Sequence, residues 1–284
     1  MGLASERKPA GGGGPKRVAS PRSGRSSRRR RSLENLAWQI ALIGAILLFW
    51  EYASGRWVPT LLVSKPSEIG ATISRWISDG TFATHLWVTI QATALGFALG
   101  AVTGMAAGFV AGMWVRLGEI LAPIITAFYT LPRLALAPLF LLWFGLGIEF
   151  RIIFTSTIVF FLIYYNTYYG VRDVGKDLIS AVRIMGGSRY QVITRVILPS
   201  ALVWVAAGLK ISVPFALVGV VVAEMLASDK GMGFLLSNAA AQFSAAQSFA
   251  AITGLLVVAL VVDWSISLAL KRALHWKTDT STAI

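Results

Sequence analysis

SAVRIMGGSRYQVITRVILP, residues 180–199, is a polar, basic island between long apolar runs. It reads as a short helix, a turn at Gly186-Gly187 and a second short helix that Pro199 is expected to stop. Tyr190, Ile193 and Ile197 recur at three- and four-residue spacing, which predicts one apolar face, a plug for a soluble partner. Arg183, Arg189 and Arg195 are available to acidic groups or lipid phosphates. The blander reading is a cytoplasmic loop that follows the charge bias of membrane proteins.

The rest of the chain explains why such an island stands out. Of 284 residues, 56% are hydrophobic and only 14% charged, against about 25% charged in a soluble domain. Mean hydropathy is +0.68. Long uncharged runs recur, so the composition predicts an all-α, polytopic membrane helix bundle. The net charge is +13, much of it in Arg7, Lys8, Lys16, Arg17, Arg22, Arg25 and Arg28 to Arg31. The Gly, Ser and Pro between those charges predict a disordered basic tail over residues 1–32. Such a flank holds the first helix with its N-terminus in the cytoplasm, a better account than nucleic-acid binding. A twin-arginine signal is disfavoured, because the apolar run that follows reaches spanning length and ends at Trp50-Glu51-Tyr52 with no small-residue cleavage site. With no cysteine in the chain, disulfides, iron–sulfur clusters and thiol catalysis drop out.

About six spans are expected, near residues 36–53, 85–114, 117–147, 152–170, 201–223 and 251–270. Ile69, Ile73, Trp76 and Ile77 predict a short interfacial helix between the first two. The second span carries Gly96, Gly100, Gly104, Gly108 and Gly112, a four-residue repeat that clears one stripe for close packing or sliding of another helix. Pro123, Pro132 and Pro138 break the third span, which a membrane tolerates where backbone lines a cavity or is buried in protein. Six spans starting inside leave the 180–199 island and both termini in the cytoplasm.

No G-x-x-x-x-G-K-[ST] phosphate cradle occurs. His85 and His275 lie far apart, which leaves no metal pair or proton relay, and no nucleophile triad survives the topology. Three charged residues remain as candidates for a translocation pathway. Arg133 sits at the break in the third span, where it suits an anionic solute or, as an interfacial arginine, snorkels toward lipid headgroups. Glu224 and Asp263 are acids near span ends, with Lys210 a candidate partner for Asp263.

The residue 180–199 island resembles the EAA loop of ABC importer permeases. The family pattern is E-A-A, three residues, Gly, nine residues and I-x-L-P. Ala181, Gly186, Val196, Leu198 and Pro199 fall on that pattern, while Ser180 and Val182 replace the Glu and the second Ala. Residues 131–147, LPRLALAPLFLLWFGLG, and residues 223–240, AEMLASDKGMGFLLSNAA, also resemble this family, the former its nitrate, sulfonate and taurine subgroup. The resemblance covers the chain from about Leu36. It implies a type I permease fold over residues 33–284, with an ATPase-coupling loop at about 171–200 comprising Ala181, Arg183, Gly186, Gly187, Tyr190, Ile193, Val196, Leu198 and Pro199. It implies a bacterial inner-membrane protein that is not itself an enzyme. The implied partners are a second copy, membrane lipid, a cytoplasmic ATPase that holds ATP and Mg, and a periplasmic or lipoprotein substrate-binding protein. The implied function is passage of a small anionic or polar solute by alternating access. The alternative is an ion-coupled secondary carrier, which needs buried midplane acids or histidines; Asp263 alone meets that need. A third reading is a scaffold whose tail binds anionic lipid or nucleic acid.

Overall fold

The computed structural model describes residues 24–273, with side chains from Glu34 to Arg272. Of the basic tail over residues 1–32, residues 1–23 lie outside the described residues, as does His275, and residues 24–32 are helical instead of disordered. The chain divides into a unit ending at Trp50 and a unit starting at Glu51. The first unit holds α1, Gly24–Ala53, as far as Trp50, and Glu34–Ala53 is apolar enough to span a membrane. Its large side chains, Trp38, Ile40, Leu42 and Leu48 among them, point outward, as lipid-facing residues do.

The second unit is a helix bundle. A short helix, α2 (Pro66–Ser78), precedes α3 (Thr81–Met113). Ile69 of α2 is buried while Ile77 is exposed, so the apolar face is narrower than its spacing implies. The Thr81 N–H donates to Asp79 Oδ1 at 2.9 Å at the start of α3. That bond holds the Asp79 carboxyl below its usual range. Next come α4 (Val115–Thr130), a 3-10 turn (Arg133–Leu136) and α5 (Ala137–Phe144). α4 and the segment after it meet at 79°, so the proline-rich third span is a broken helix. α6 (Ile148–Arg172) leads to α7 (Lys176–Ile184), α8 (Arg189–Val192), a π-turn (Ile193–Ile197) and α9 (Leu198–Ala227). α10 (Met232–Ala241) and α11 (Ala245–Ala273) complete the described chain. Five helices have the length and apolarity to cross a membrane among the described residues, and the bent pair makes a sixth.

The centre of the bundle is α3 against α6. All five glycines of the α3 repeat are buried. A Cβ on Gly100, Gly104 or Gly108 would lie 2.6, 2.6 or 2.5 Å from the carbonyl oxygen of Ser156, Phe160 or Tyr164. On α6 the facing row is Thr155, Val159, Ile163, Thr167 and Val171, itself at four-residue spacing. Two rows of equal period stay in register along the helices, and the missing side chains let the backbones touch. Glycine in a helix interior costs roughly 0.5–1 kcal/mol relative to alanine, so the sequence gives up intrinsic helicity here for contact. α9 packs on another face of α6, where Gly208 meets Asn166 and Gly219 meets Thr155 and Ile158.

Candidate functional site

The 180–199 segment folds as two short helices joined by a tight reversal. α7 ends when the Gly186 N–H donates to the Arg183 carbonyl at 3.0 Å and the Gly187 N–H to the Val182 carbonyl at 2.9 Å. This is a Schellman closure, and Gly186 adopts the left-handed φ of +81° that it requires. Gly187 is the more crowded of the two, since a Cβ there would lie 2.7 Å from the Val182 carbonyl oxygen. α8 begins with a capping box: Ser188 Oγ accepts from the Gln191 N–H at 3.3 Å, and the Ser188 N–H donates to Gln191 Oε1 at 2.8 Å. The Ser-x-x-Gln signature was present in the sequence and is a feature that the spacing argument missed.

Two expectations for this segment need correction. Pro199 does not stop a helix. Leu198 bonds back to the Ile193 carbonyl through a π-turn, and Pro199 sits in the first turn of α9, where a proline's missing donor does no harm. The apolar plug is also composed differently. Ile197 is buried and Ile193 is half-buried, packed with Val171, Val174, Val192 and Ala201 where α6 ends and α9 begins. Val196 joins that cluster, while Tyr190 stays 74% exposed. The side chains that do project are Leu178, Ile184, Met185 and Tyr190. The expected face divides because Ile193 and Ile197 pack inward together, while Tyr190, which precedes the π-turn, points out. Ala181, Arg183 and Leu198 are exposed.

At the opposite end of α6 lies a polar knot. Glu224 is 1% exposed. Its carboxylate accepts from Thr89 Oγ1 at 2.9 Å and from the Gly233 N–H at 2.9 Å, and stands 3.8 Å from Arg151 Nη1. Thr89 Oγ1 in turn accepts from the Met232 N–H at 2.8 Å, and His85 Nδ1 accepts from the Gly231 N–H at 3.0 Å. Gly231 has a φ of +116° and, with Gly233, lies directly over the glutamate, where a Cβ would collide with it. The knot therefore ties α3, α6 and α9 to the start of α10. Glu224 belongs to it instead of sitting at a solvated interface. Sequence gave no partner for it, since Thr89 is 135 positions away.

The other two candidate pathway residues part company. Asp263 is exposed on α11 and makes no ion pair with Lys210 among the described residues. Arg133 stands at the break between α4 and α5. Its Nη2 donates to the Tyr129 carbonyl at 3.0 Å. Its guanidinium lies 4.8 Å from the Tyr129 ring centre and 4.9 Å from that of Phe161. The structure thus brings the loop residues together at one end of the bundle, sets Glu224 at the other, and leaves Arg133 at the α4–α5 break, against Phe161 of α6.

Comparison with known proteins places this architecture. Residues 96–274 match the family model described as binding-protein-dependent transport system inner membrane component. A Bacillus subtilis protein carrying the name aliphatic sulfonates transport permease protein SsuC is 32% identical over 89% of this chain and 92% of its own. The formylaminopyrimidine transport permease protein ThiX of Halalkalibacterium halodurans is 32% identical over 73% of this chain and 82% of its own. Among solved structures, a chain of the inward-facing MetNI methionine ABC transporter superposes with a TM-score of 0.58 at 17% identity, over 66% of this chain and 94% of that one. With its glycine-packed core, its broken span and its helix–turn–helix island, the chain belongs to the binding-protein-dependent inner membrane components, the multi-pass permease subunits of ABC importers.

Proposed function

We propose that this permease subunit passes a small anionic or polar solute through a pathway built with a second copy of itself. Transport is driven by a cytoplasmic ATPase that docks on the segment from Lys176 to Pro199. A binding protein delivers solute at the opposite face, and both termini lie in the cytoplasm. The relatives named for sulfonate and formylaminopyrimidine transport support a small polar solute. The basic loop and the Lys271-Arg272 end of α11 support the orientation. Arg183, Arg189 and Arg195 are set to meet acidic groups of the ATPase or lipid phosphates.

The observation that carries the docking role is the locked reversal at Gly186-Gly187. It fixes two helices at a set angle and presents Leu178, Ile184, Met185 and Tyr190 outward on a rigid base. Large exposed apolar residues on an otherwise polar, basic loop call for a protein partner. ATP binding then moves the loop, and the packed helices transmit that movement to the pathway.

The test separates docking from folding. Exposed substitutions usually change stability by only about ±0.5 kcal/mol, so Met185→Ser with Tyr190→Ser should insert normally. The purified variant should lose co-purifying ATPase or hydrolyse ATP without uptake. Normal ATPase binding together with normal uptake would remove the docking assignment.

A further inference from the structure

Between α4 and α6 lies a cleft that the packing of the bundle does not explain. Within α4 only Gly118 is buried, so the helix stands off from its neighbours along much of its length. The gap holds a cavity of about 420 Å³ lined by Thr126, Tyr129, Leu162, Tyr165, Asn166 and Tyr169. That volume suits a small-molecule site, for which ~300–1,000 Å³ is usual. Three of its six lining residues are tyrosines, and none is an acid.

The rings are ordered. Tyr165 and Tyr169 stack along α6 at 6.0 Å, and Tyr129 of α4 meets Tyr165 edge-on at 5.0 Å. Thr126 Oγ1 and the Tyr165 hydroxyl share a hydrogen bond of 3.0 Å across the gap. One step beyond Tyr129 is Arg133, lodged between the Tyr129 and Phe161 rings. Its Nε is buried without a hydrogen-bond partner. The guanidinium has five N–H donors, and the single hydrogen bond it makes among the described residues is to the Tyr129 carbonyl. A cation with spare donors at the end of an acid-free aromatic wall is suited to an acidic group joined to a flat body. Aromatic guests gain from edge-on and offset contact with such rings, while the guanidinium fixes the charged end.

We infer that the α4–α6 cleft is a subsite for small organic anions with an aromatic body, in which Arg133 takes the acidic group and Tyr129, Tyr165 and Tyr169 take the ring. This rests on the reading of the chain as the solute-passing subunit and names the solute class that its wall selects.

The probe is benzenesulfonate, titrated calorimetrically into the transporter purified with its ATPase in phosphatidylcholine nanodiscs. Benzenesulfonamide lacks the charge, and methanesulfonate lacks the ring. Benzenesulfonate should bind at least tenfold more tightly than either. Arg133→Gln and Tyr165→Leu should each weaken it at least tenfold, with co-purifying ATPase unchanged. Undetectable benzenesulfonate binding, equal binding of methanesulfonate, or unchanged binding by Arg133→Gln would each overturn the proposal. Loss of binding on adding phosphatidylglycerol would make the cleft a lipid site and overturn it too. The comparison of the three probes on the unaltered chain holds even where a variant fails to fold. Failure of the permease reading looks different: the ATPase would not co-purify with the unaltered chain at all.

Discussion

At the scale of single residues, Glu224 shows how a charge survives inside an apolar bundle. Removing an ion from water costs several kcal/mol even after relaxation, and attraction offsets this only where hydrogen bonds complete the shell. Here Thr89 and the Gly233 N–H supply those bonds, and Arg151 supplies the opposite charge at 3.8 Å. Thr89 is therefore a relay, tying the carboxylate to the Met232 N–H. Glu224→Ala should lower stability by ~3–5 kcal/mol, because it strands a buried arginine. Thr89→Val should cost ~1–3 kcal/mol through unpaired buried groups. Thermal unfolding of the purified variants in detergent measures both. Unchanged melting in Glu224→Ala would mean that the knot holds nothing together. Sequence placed Glu224 near a span end and stopped there, since a partner 135 positions away leaves no local mark.

At the scale of helices, the α3–α6 contact was half legible. The four-residue glycine repeat is plain in the sequence, and it predicts close approach by something. Its partner row on α6 is invisible in advance, because Thr155, Val159, Ile163, Thr167 and Val171 share no residue type that would mark them as one face of a run mixing polar, aromatic and aliphatic residues. The π-turn before α9 was equally hidden, as was the burial of Ile193 and Ile197 that divides the expected plug, whereas the capping box at Ser188 was written in the sequence. The contact geometry grades the cost of adding atoms. Gly104→Ala and Gly108→Ala push a methyl onto backbone oxygens, at 2.6 and 2.5 Å, that can move only with α6 itself. Gly96→Ala meets the Thr155 side chain first, at 2.8 Å, and its nearest backbone oxygen is 3.1 Å away. Overpacking costs ~1–3 kcal/mol in a tight core, so the first two should approach or exceed the upper figure and Gly96→Ala the lower. Val102→Leu, on the exposed face of α3, should be neutral. Melting temperatures that fail to separate Gly108→Ala from Val102→Leu would show that the two helices part readily.

At the scale of the whole membrane protein, the proposed orientation rests on where the cations fall. Arg116 after α3, Arg172 at the end of α6, Arg183, Arg189 and Arg195 in the loop, and Lys271-Arg272 on α11 all belong to one side of a six-span path. The other side carries Arg56, Lys65, Arg75, Arg133, Arg151 and Lys230, mixed with Glu68, Asp79, Glu149 and Asp229. A membrane holds the Lys/Arg-rich side in the cytoplasm. The chain contains no cysteine, so a single introduced thiol reports its own side without further changes. Met185 at the loop reversal is 77% exposed, and Asp229 before α10 is also exposed. Asp229→Cys should react with a membrane-impermeant maleimide in intact cells. Met185→Cys should react only in inverted vesicles, and assembled ATPase should slow it, because the loop that carries it is the proposed docking surface. Labelling of Met185→Cys from outside would invert the molecule and remove the ATPase from that loop. Labelling from inside at a rate indifferent to the ATPase would keep the orientation and move the docking surface elsewhere, since bound protein must shield whatever residue it covers.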